Sequence, residues 1–426
     1  MNVEIIDDQP PEVLAMLQAL YSRSPKSVLT HLEQVRTRGP DKFMAQYYVG
    51  YGHKSIGDCG FTSLFVEQVS LLAAKAIQDT PLYCGQEAST RYLDMAKQDV
   101  LNPLGTPEGK AIQDGWMNLY STVLAELGPV LKTQYPRRDG EDEIVWEKAI
   151  KARAFDVARG LLPAGVTTLV AWSANLRQAD DHLKEMRHHA LAEVRGIARC
   201  VHAKLSDKYP PSFSHKRNEA EEDYVARSMS SFSFYDGPAV DYLAVNNLDL
   251  CGLREHQDLL ETRPPRTELH QRLRRFGSID FYFSLDFGSY RDLQRQRSAV
   301  QEMPLLTTKR GFHPWYIAQM PGWVPAAIEE QRARVESLGC DAQTRQYYTA
   351  IGYLVPVVMS CPLPAAVYIA ELRSGTTVHP TLRERAQQMG ESIKRCVPGI
   401  AMHHDISPGS WSVKRGTQDI VLKETK

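Results

Sequence analysis

Net charge is almost absent from this chain. Its 50 lysines and arginines face 51 aspartates and glutamates, leaving a formal charge of -1. That balance excludes the strongly basic face needed for bulk binding of nucleic acid or anionic membrane, yet a few converging arginines could still hold a small anion. Long hydrophobic runs are missing as well. No stretch reaches about 18 uninterrupted apolar residues, so no bilayer span is expected. The acidic start MNVEIIDDQPPEVL lacks the basic and apolar regions of a secretory signal, so the expected location is the cytoplasm. Cysteine is sparse: the seven residues at 59, 84, 200, 251, 340, 361 and 396 are odd in number and lack paired zinc spacing. They read as reduced thiols, with no disulfide framework and no metal site.

What is present is ordinary globular chemistry. A chain of 426 residues with 43% hydrophobic content can build two or three units with real cores. Helical spacing is expected over Pro11–Val35. A second helix is expected from Phe61, Leu64, Phe65, Val69, Leu72 and Ala76, ending by Pro81 because proline cannot continue the ladder. Residues 100–150, punctuated by Pro103, Gly105, Pro107, Gly128 and Pro136, read as short helices between turns. Val166–Trp172 is β-branched and aromatic, as a strand requires. Helical spacing returns from Asp180 to Leu205. The polar stretch His215–Asp223 reads as a linker. Beyond it, Phe281–Phe287 fits a strand or the start of an apolar helix. An arginine-rich helical segment, Tyr290–Arg297, follows, and then an apolar run over Ile351–Ile369. Glu185-Met186-Arg187 with Arg195–Ala198 is echoed by Glu371-Leu372-Arg373 with Arg383–Ala386, a hint of an internal repeat.

Three clusters carry candidate chemistry. Gln86-Glu87-Ala88-Ser89-Thr90-Arg91-Tyr92 brings hydroxyls and a guanidinium together, as phosphate binding requires, although a polar turn explains it equally. Arg159, within Ala158–Gly165, is either snorkelling or paired with something buried. Asn175-Leu176-Arg177, with His182 and Arg187 downstream, could read an amide edge and a carbonyl, or could simply be a solvated helix face.

In order along the chain, these pieces resemble the flavin-dependent thymidylate synthases. Gly52-His53-Lys54-Ser55 is similar to that family's Gly-His-x-Ser, and Phe61-Thr62 falls where the next helix would begin. Ser89-Thr90-Arg91-Tyr92 matches Ser-x-Arg-Tyr, and Ala158-Arg159 with Leu162-Pro163 matches Ala-Arg-x-x-Leu-Pro. Asn175-Leu176-Arg177 and His182–Arg187 match the remaining two motifs. The departures are as informative. Where the family has Arg-His-Arg, Asp79-Thr80-Pro81 stands, and a negative charge there repels phosphate. A second copy of the pattern keeps Arg295-Gln296-Arg297 but has Leu305-Leu306-Thr307 for Ser-x-Arg, and Cys361–Pro364 for Asn-x-Arg.

The resemblance implies an α/β fold of two related units fused in tandem, each a small β-sheet flanked by helices. Repeat one is expected over 1–214, a charged linker over 215–224 and repeat two over 225–426. It further implies a transferase acting on carbon 5 of a pyrimidine nucleotide such as dUMP, with FAD as cofactor and NADPH and methylenetetrahydrofolate as candidate co-substrates. Ser89 and Arg187 are the implied catalytic residues. Glu87, Ser89, Arg91, Arg159 and Arg187 are implied for the nucleotide, with Arg187 on the base. His53, Asn175, His182, Arg295, Gln296 and Arg297 are implied for flavin. A homodimer forming a pseudo-tetramer is the implied assembly. Two other readings stand beside this one: a flavoprotein with a changed substrate, and a catalytically inactive nucleotide-binding or assembly module.

Overall fold

The computed structural model describes residues 3–38, 54–238 and 240–417. It is mixed α/β with two small sheets. The chain divides into two compact units that interleave along the sequence. Unit 1 comprises residues 1–67, 76–87 and 169–233, and unit 2 comprises 68–75, 88–168 and 234–426.

The N-terminal helices are α1 (Pro11–Tyr21) and α2 (Val28–Arg38), separated at Ser22–Ser27. They enclose a small cluster of Met16, Leu17, Leu32 and Val35. The helix expected over Phe61–Ala76 is instead strand β1 (Phe61–Ser70) running directly into helix α3 (Leu71–Gln78). The apolar residues Phe61, Phe65 and Val69 are four apart, a spacing that fits one helix face and also one strand face. The alternating burial along β1 and its β-branched Thr62, Val66 and Val69 decide for the strand. Helix α3 does end ahead of Pro81.

Strand β2 (Cys84–Glu87) follows. Two long helices, α4 (Pro107–Gln134) and α5 (Glu143–Ala158), then replace the short helices expected over 100–150. Thr106 caps α4, with Pro107 at its first position, and the helix runs through Gly128-Pro129 because its buried face holds Trp116, Tyr120, Val123, Leu127 and Leu131. Strand β3 (Thr167–Asn175) lies where β-branched composition places it. Helices α6 (Leu176–Arg187) and α7 (Ala192–Lys208) share the expected helical stretch. Their buried residues recur three or four apart, through Leu176, Ala179, Leu183 and Met186 and then Val194, Ala198, Val201 and Leu205. The supposed linker contains the start of helix α8 (Glu219–Ser231), which Asn218 caps. In unit 1 the sheet order is β1-β3-β2, with β2 and β3 antiparallel from Cys84↔Ser173 to Glu87↔Val170.

Unit 2 holds the sheet β4-β5-β7-β6, made of β4 (Tyr242–Leu248), β5 (Gly277–Asp286), β6 (Val300–Gln301) and β7 (Leu354–Pro362). Gly277 opens β5 at φ +99, and a Cβ there would lie 2.2 Å from the Asn247 carbonyl oxygen, so only glycine suits this entry. Its central pair is antiparallel, with Phe281 opposite Met359. Strand β5 runs into α9 (Phe287–Leu293), and β7 into α11 (Leu363–Arg373) and α12 (Pro380–Cys396), with α10 (Val324–Ser337) between them. Ile279, Phe281, Phe283 and Leu285 on β5 and Leu382, Ala386, Met389 and Ile393 on α12 are all buried.

One order of elements therefore occurs twice. A 10-residue strand runs straight into a short helix in β1–α3 and again in β5–α9. A 9-residue strand runs into a helix of 12 or 11 residues and then one of 17, in β3–α6–α7 and again in β7–α11–α12. Among the described residues, no helix is long and apolar enough to cross a membrane, and no group of histidine, cysteine, aspartate and glutamate could hold a metal ion.

Candidate functional site

In unit 2 the motif arginines converge on three aspartates. Arg91 follows the turn after β2 and meets Asp156, on the last turn of α5, through Nε–Oδ1 at 2.7 Å and Nη2–Oδ2 at 3.0 Å. Its Nη2 also donates to the Thr377 carbonyl at 3.2 Å. Arg415 adds a second ion pair to Asp156 at 3.0 Å while its guanidinium lies over the Tyr92 ring. Burial alone would raise the Asp156 carboxyl, but Arg415 and Arg91 hold it well below the usual carboxylate range. Ser89, half-buried, accepts a hydrogen bond from the Arg91 amide at 3.3 Å.

Arg159 has a different setting. It is 1% exposed, donating to Ser289 Oγ at 2.8 Å and to Tyr316 OH at 3.3 Å. Asp286 and Asp292 each lie 3.8 Å from its guanidinium. Asp286, fully buried at the end of β5, accepts from Tyr316 OH at 3.0 Å and from Thr381 Oγ1 at 2.5 Å. His379 joins this network through Thr381 and the Asp156 carbonyl, and burial together with Arg159 keeps its ring neutral, its pKa well below the ordinary value. So enclosed, Arg159 has no face open to solvent. It ties the end of α5 to β5 and α9.

Asp292 marks where the two halves of the sequence meet. Burial would raise its carboxyl, but the positive charges of Arg159, Arg91, Arg373 and Arg295 bring it down to about 2. Arg373 donates Nη2 to the Asp292 carbonyl oxygen at 2.7 Å, while its Nε is buried without a partner. Arg295 and Arg297 lie just beyond α9 rather than on a helix, and both are exposed. With Gln296 between them they line a cleft of about 250 Å³, together with Glu268, Gln271 and Tyr368.

In unit 1, Arg187 ends α6. Its Nη2 donates to Glu222 Oε1 at 2.6 Å, and the other oxygen of Glu222 lies 2.7 Å from His188 Nε2. The expected flavin ligands Asn175 and His182 have structural tasks here. Asn175 caps α6 by accepting from the Gln178 amide at 2.8 Å. His182 is buried, its Nε2 3.1 Å from the Ile77 carbonyl and its ring edge-on to Trp172. Glu87 is buried and accepts from Gln78 Nε2 at 2.8 Å. His53 lies outside the described residues.

The sequence does not single out Asp156, Asp292 or Glu222, and it marks Arg373 only within the Glu371-Leu372-Arg373 echo. Each is a common residue type whose partner lies tens to hundreds of positions away. A local signal existed only for Asp286, whose spacing from Ser289 is that of a helix cap, and its side chain does accept from the Ser289 amide.

Residues 4–211 match the family model described as thymidylate synthase complementing protein. The chain is also similar to a UPF0159 protein of Chlamydia muridarum (strain MoPn / Nigg), 25% identical over 405 residues that cover 80% of this chain and 76% of the relative. A UPF0159 protein of Chlamydia pneumoniae is 23% identical over 410 residues, covering 82% and 77% of the two chains. One from Thermoplasma acidophilum is 22% identical over 464 residues, covering 90% and 93%. Matches of that extent run well past residue 211, so the second half is shared with these relatives too. Over residues 4–211, the chain is similar to the thymidylate synthase complementing protein family.

Proposed function

We propose that the protein is a flavin-dependent transferase that modifies carbon 5 of a pyrimidine nucleotide such as dUMP, with FAD as cofactor and methylenetetrahydrofolate and NADPH as co-substrates. The observation that carries this reading is the convergence in unit 2 of Arg91 and Arg159 from the first half of the sequence with Arg373 and Arg415 from the second around Asp156, Asp286 and Asp292, in a chain whose residues 4–211 match the thymidylate synthase complementing protein model. A cluster of that sign with only part of its charge neutralised suits phosphate groups.

Within unit 2 the roles follow from exposure. Arg91 and Ser89 are the candidates for the nucleotide phosphate, with Arg159 holding the wall behind them. Arg295, Gln296 and Arg297 are the candidates for the diphosphate of FAD. The two exposed guanidinia lining the cleft, with Gln296 between them, fit such a group. Bound there, reduced flavin would supply the electrons that complete a methyl group. Arg187 remains the candidate for a pyrimidine carbonyl, stabilising charge that develops on the ring.

The repeated order of strands and helices supports a tandem origin, with repeat one over 1–214 and repeat two over 225–426. Repeat two restores the arginines that Asp79-Thr80-Pro81 lacks. A homodimer, acting as a pseudo-tetramer in the cytoplasm, completes the proposal. One face of the unit 1 sheet favours it: Phe61 and Phe65 on β1 and Leu169 on β3 are exposed there, beside the Ser63–Ser173 hydrogen bond at 2.8 Å.

The test is direct. Full-length protein, purified and then denatured, should release flavin detectable by absorbance and mass spectrometry, and Arg91→Ala should weaken dUMP binding. A colourless protein that FAD cannot reconstitute, with dUMP affinity unchanged in Arg91→Ala, would favour the inactive binding module.

A further inference from the structure

The cleft of unit 1 around Arg187 encloses about 210 Å³ and is lined by Arg177, Lys184, Lys216 and Arg217 as well. These five cations face four carboxylates, Asp180, Asp181, Glu221 and Glu222, and the two glutamates ride on α8. Arg187 is the deepest of the cations, its side chain only 10% exposed. Its Nη2 is bonded to Glu222, but its Nε is buried with no hydrogen-bond partner. The Nε and Nη2 edge is the one that grips an oxyanion with two parallel bonds. Glu222 takes one of those bonds and spends its second oxygen on His188, leaving the fork half used.

Glu222 is carried by α8, and that helix is unusual in how it is attached. None of its 13 residues is buried. Its links to α6 are ionic: Glu222 with Arg187 and His188, and Glu221 with Lys184 at 3.4 Å. With Val225, Ala226 and Met229 only half-buried, such a helix leans on a few charge pairs that salt screens and another anion can replace.

We propose that this cleft is a site for a phosphate-class oxyanion whose seat is filled by the protein's own Glu222, and that α8 lifts away when the anion binds. The incoming phosphate takes both Nε and Nη2 of Arg187, while Lys184, on losing Glu221, keeps Asp180 and Asp181 at 3.4 Å. Glu222 thus acts as an internal competitor that keeps weak or monovalent anions out. The inference keeps Arg187 as a ligand-binding residue but gives its fork a phosphate-class oxyanion in place of the pyrimidine carbonyl. It does not depend on flavin or on any particular reaction.

The experiment follows hydrogen–deuterium exchange of the full-length protein in sodium phosphate and in sodium chloride at equal ionic strength. Phosphate should speed exchange across Glu219–Ser231 with a saturable dose response, and chloride should not. In Glu222→Gln the helix should exchange rapidly without phosphate, and inorganic phosphate should bind roughly tenfold more tightly by calorimetry. Exchange in α8 that is indifferent to phosphate in the wild type would overturn the proposal, and that arm needs no variant to fold. Equal phosphate affinity in wild type and Glu222→Gln would overturn it as well. Because neither probe nor readout involves flavin or turnover, loss of the flavin reading leaves these outcomes readable.

Discussion

Arg91 grips Asp156 with two parallel bonds, Nε–Oδ1 at 2.7 Å and Nη2–Oδ2 at 3.0 Å, and Arg415 holds the same carboxylate at 3.0 Å. The guanidinium expected to bind phosphate already rests on a carboxylate, in the planar geometry a phosphate would exploit. Because Arg415 also neutralises Asp156, Arg91 can turn toward a ligand without leaving that buried charge alone.

That arrangement separates the two motif arginines experimentally. Arg159→Ala removes the cation enclosed between Asp286 and Asp292 and should lower stability by about 3–5 kcal/mol in denaturant titrations. Arg91→Ala should cost less stability and more dUMP affinity, a loss of about 1.5–3 kcal/mol. If Arg159→Ala leaves stability unchanged and abolishes nucleotide binding, Arg159 is a ligand contact after all.

Acid should weaken the same cluster. Asp156 and Asp292 are both held below the unfolded value of about 3.9, Asp292 at about 2. Groups depressed on folding stabilise the native state above the unfolded pKa, and that contribution is lost as pH falls through the folded one. Thermal melts should therefore drop between about pH 4 and about pH 2. Asp292→Asn should start lower and fall less steeply across that range. A variant with the wild-type profile would show that Asp292 carries no such linkage.

Part of this molecule was legible beforehand. The β-branched run at Val166–Trp172 read as the strand it is, because composition and length agree there. Phe61–Ala76 did not, since residues four apart satisfy both periods and only pairing chooses between them. Gly128 suggests a break that the buried face of α4 overrides. The arginines of the site were visible as motifs, whereas their partners were not. Asp156 meets Arg415 across 259 positions, and nothing local in the sequence encodes that distance.

The exposed face of the unit 1 sheet gives a further expectation. Phe65, 77% exposed on β1, should lie against a second copy in a homodimer. Phe65→Asp should shift the protein toward monomer in sedimentation equilibrium while its circular dichroism stays unchanged. A wild type that is monomeric at all concentrations would end the proposal of a dimer.

Arg187→Lys examines the base-binding role, because lysine keeps the charge but cannot offer the planar fork. Turnover on a pyrimidine nucleotide should fall by about tenfold or more. Full activity would show that a point charge suffices at that position.

The division of labour between the two halves is tested most directly by flavin retention. The full-length protein and an Arg295→Ala/Arg297→Ala double variant would be purified side by side, and bound flavin quantified per chain after denaturation. Flavin carried by the wild type and lost from a folded double variant is the predicted result. Equal flavin in both would contradict the account, because FAD would then be held without the arginines of the second half.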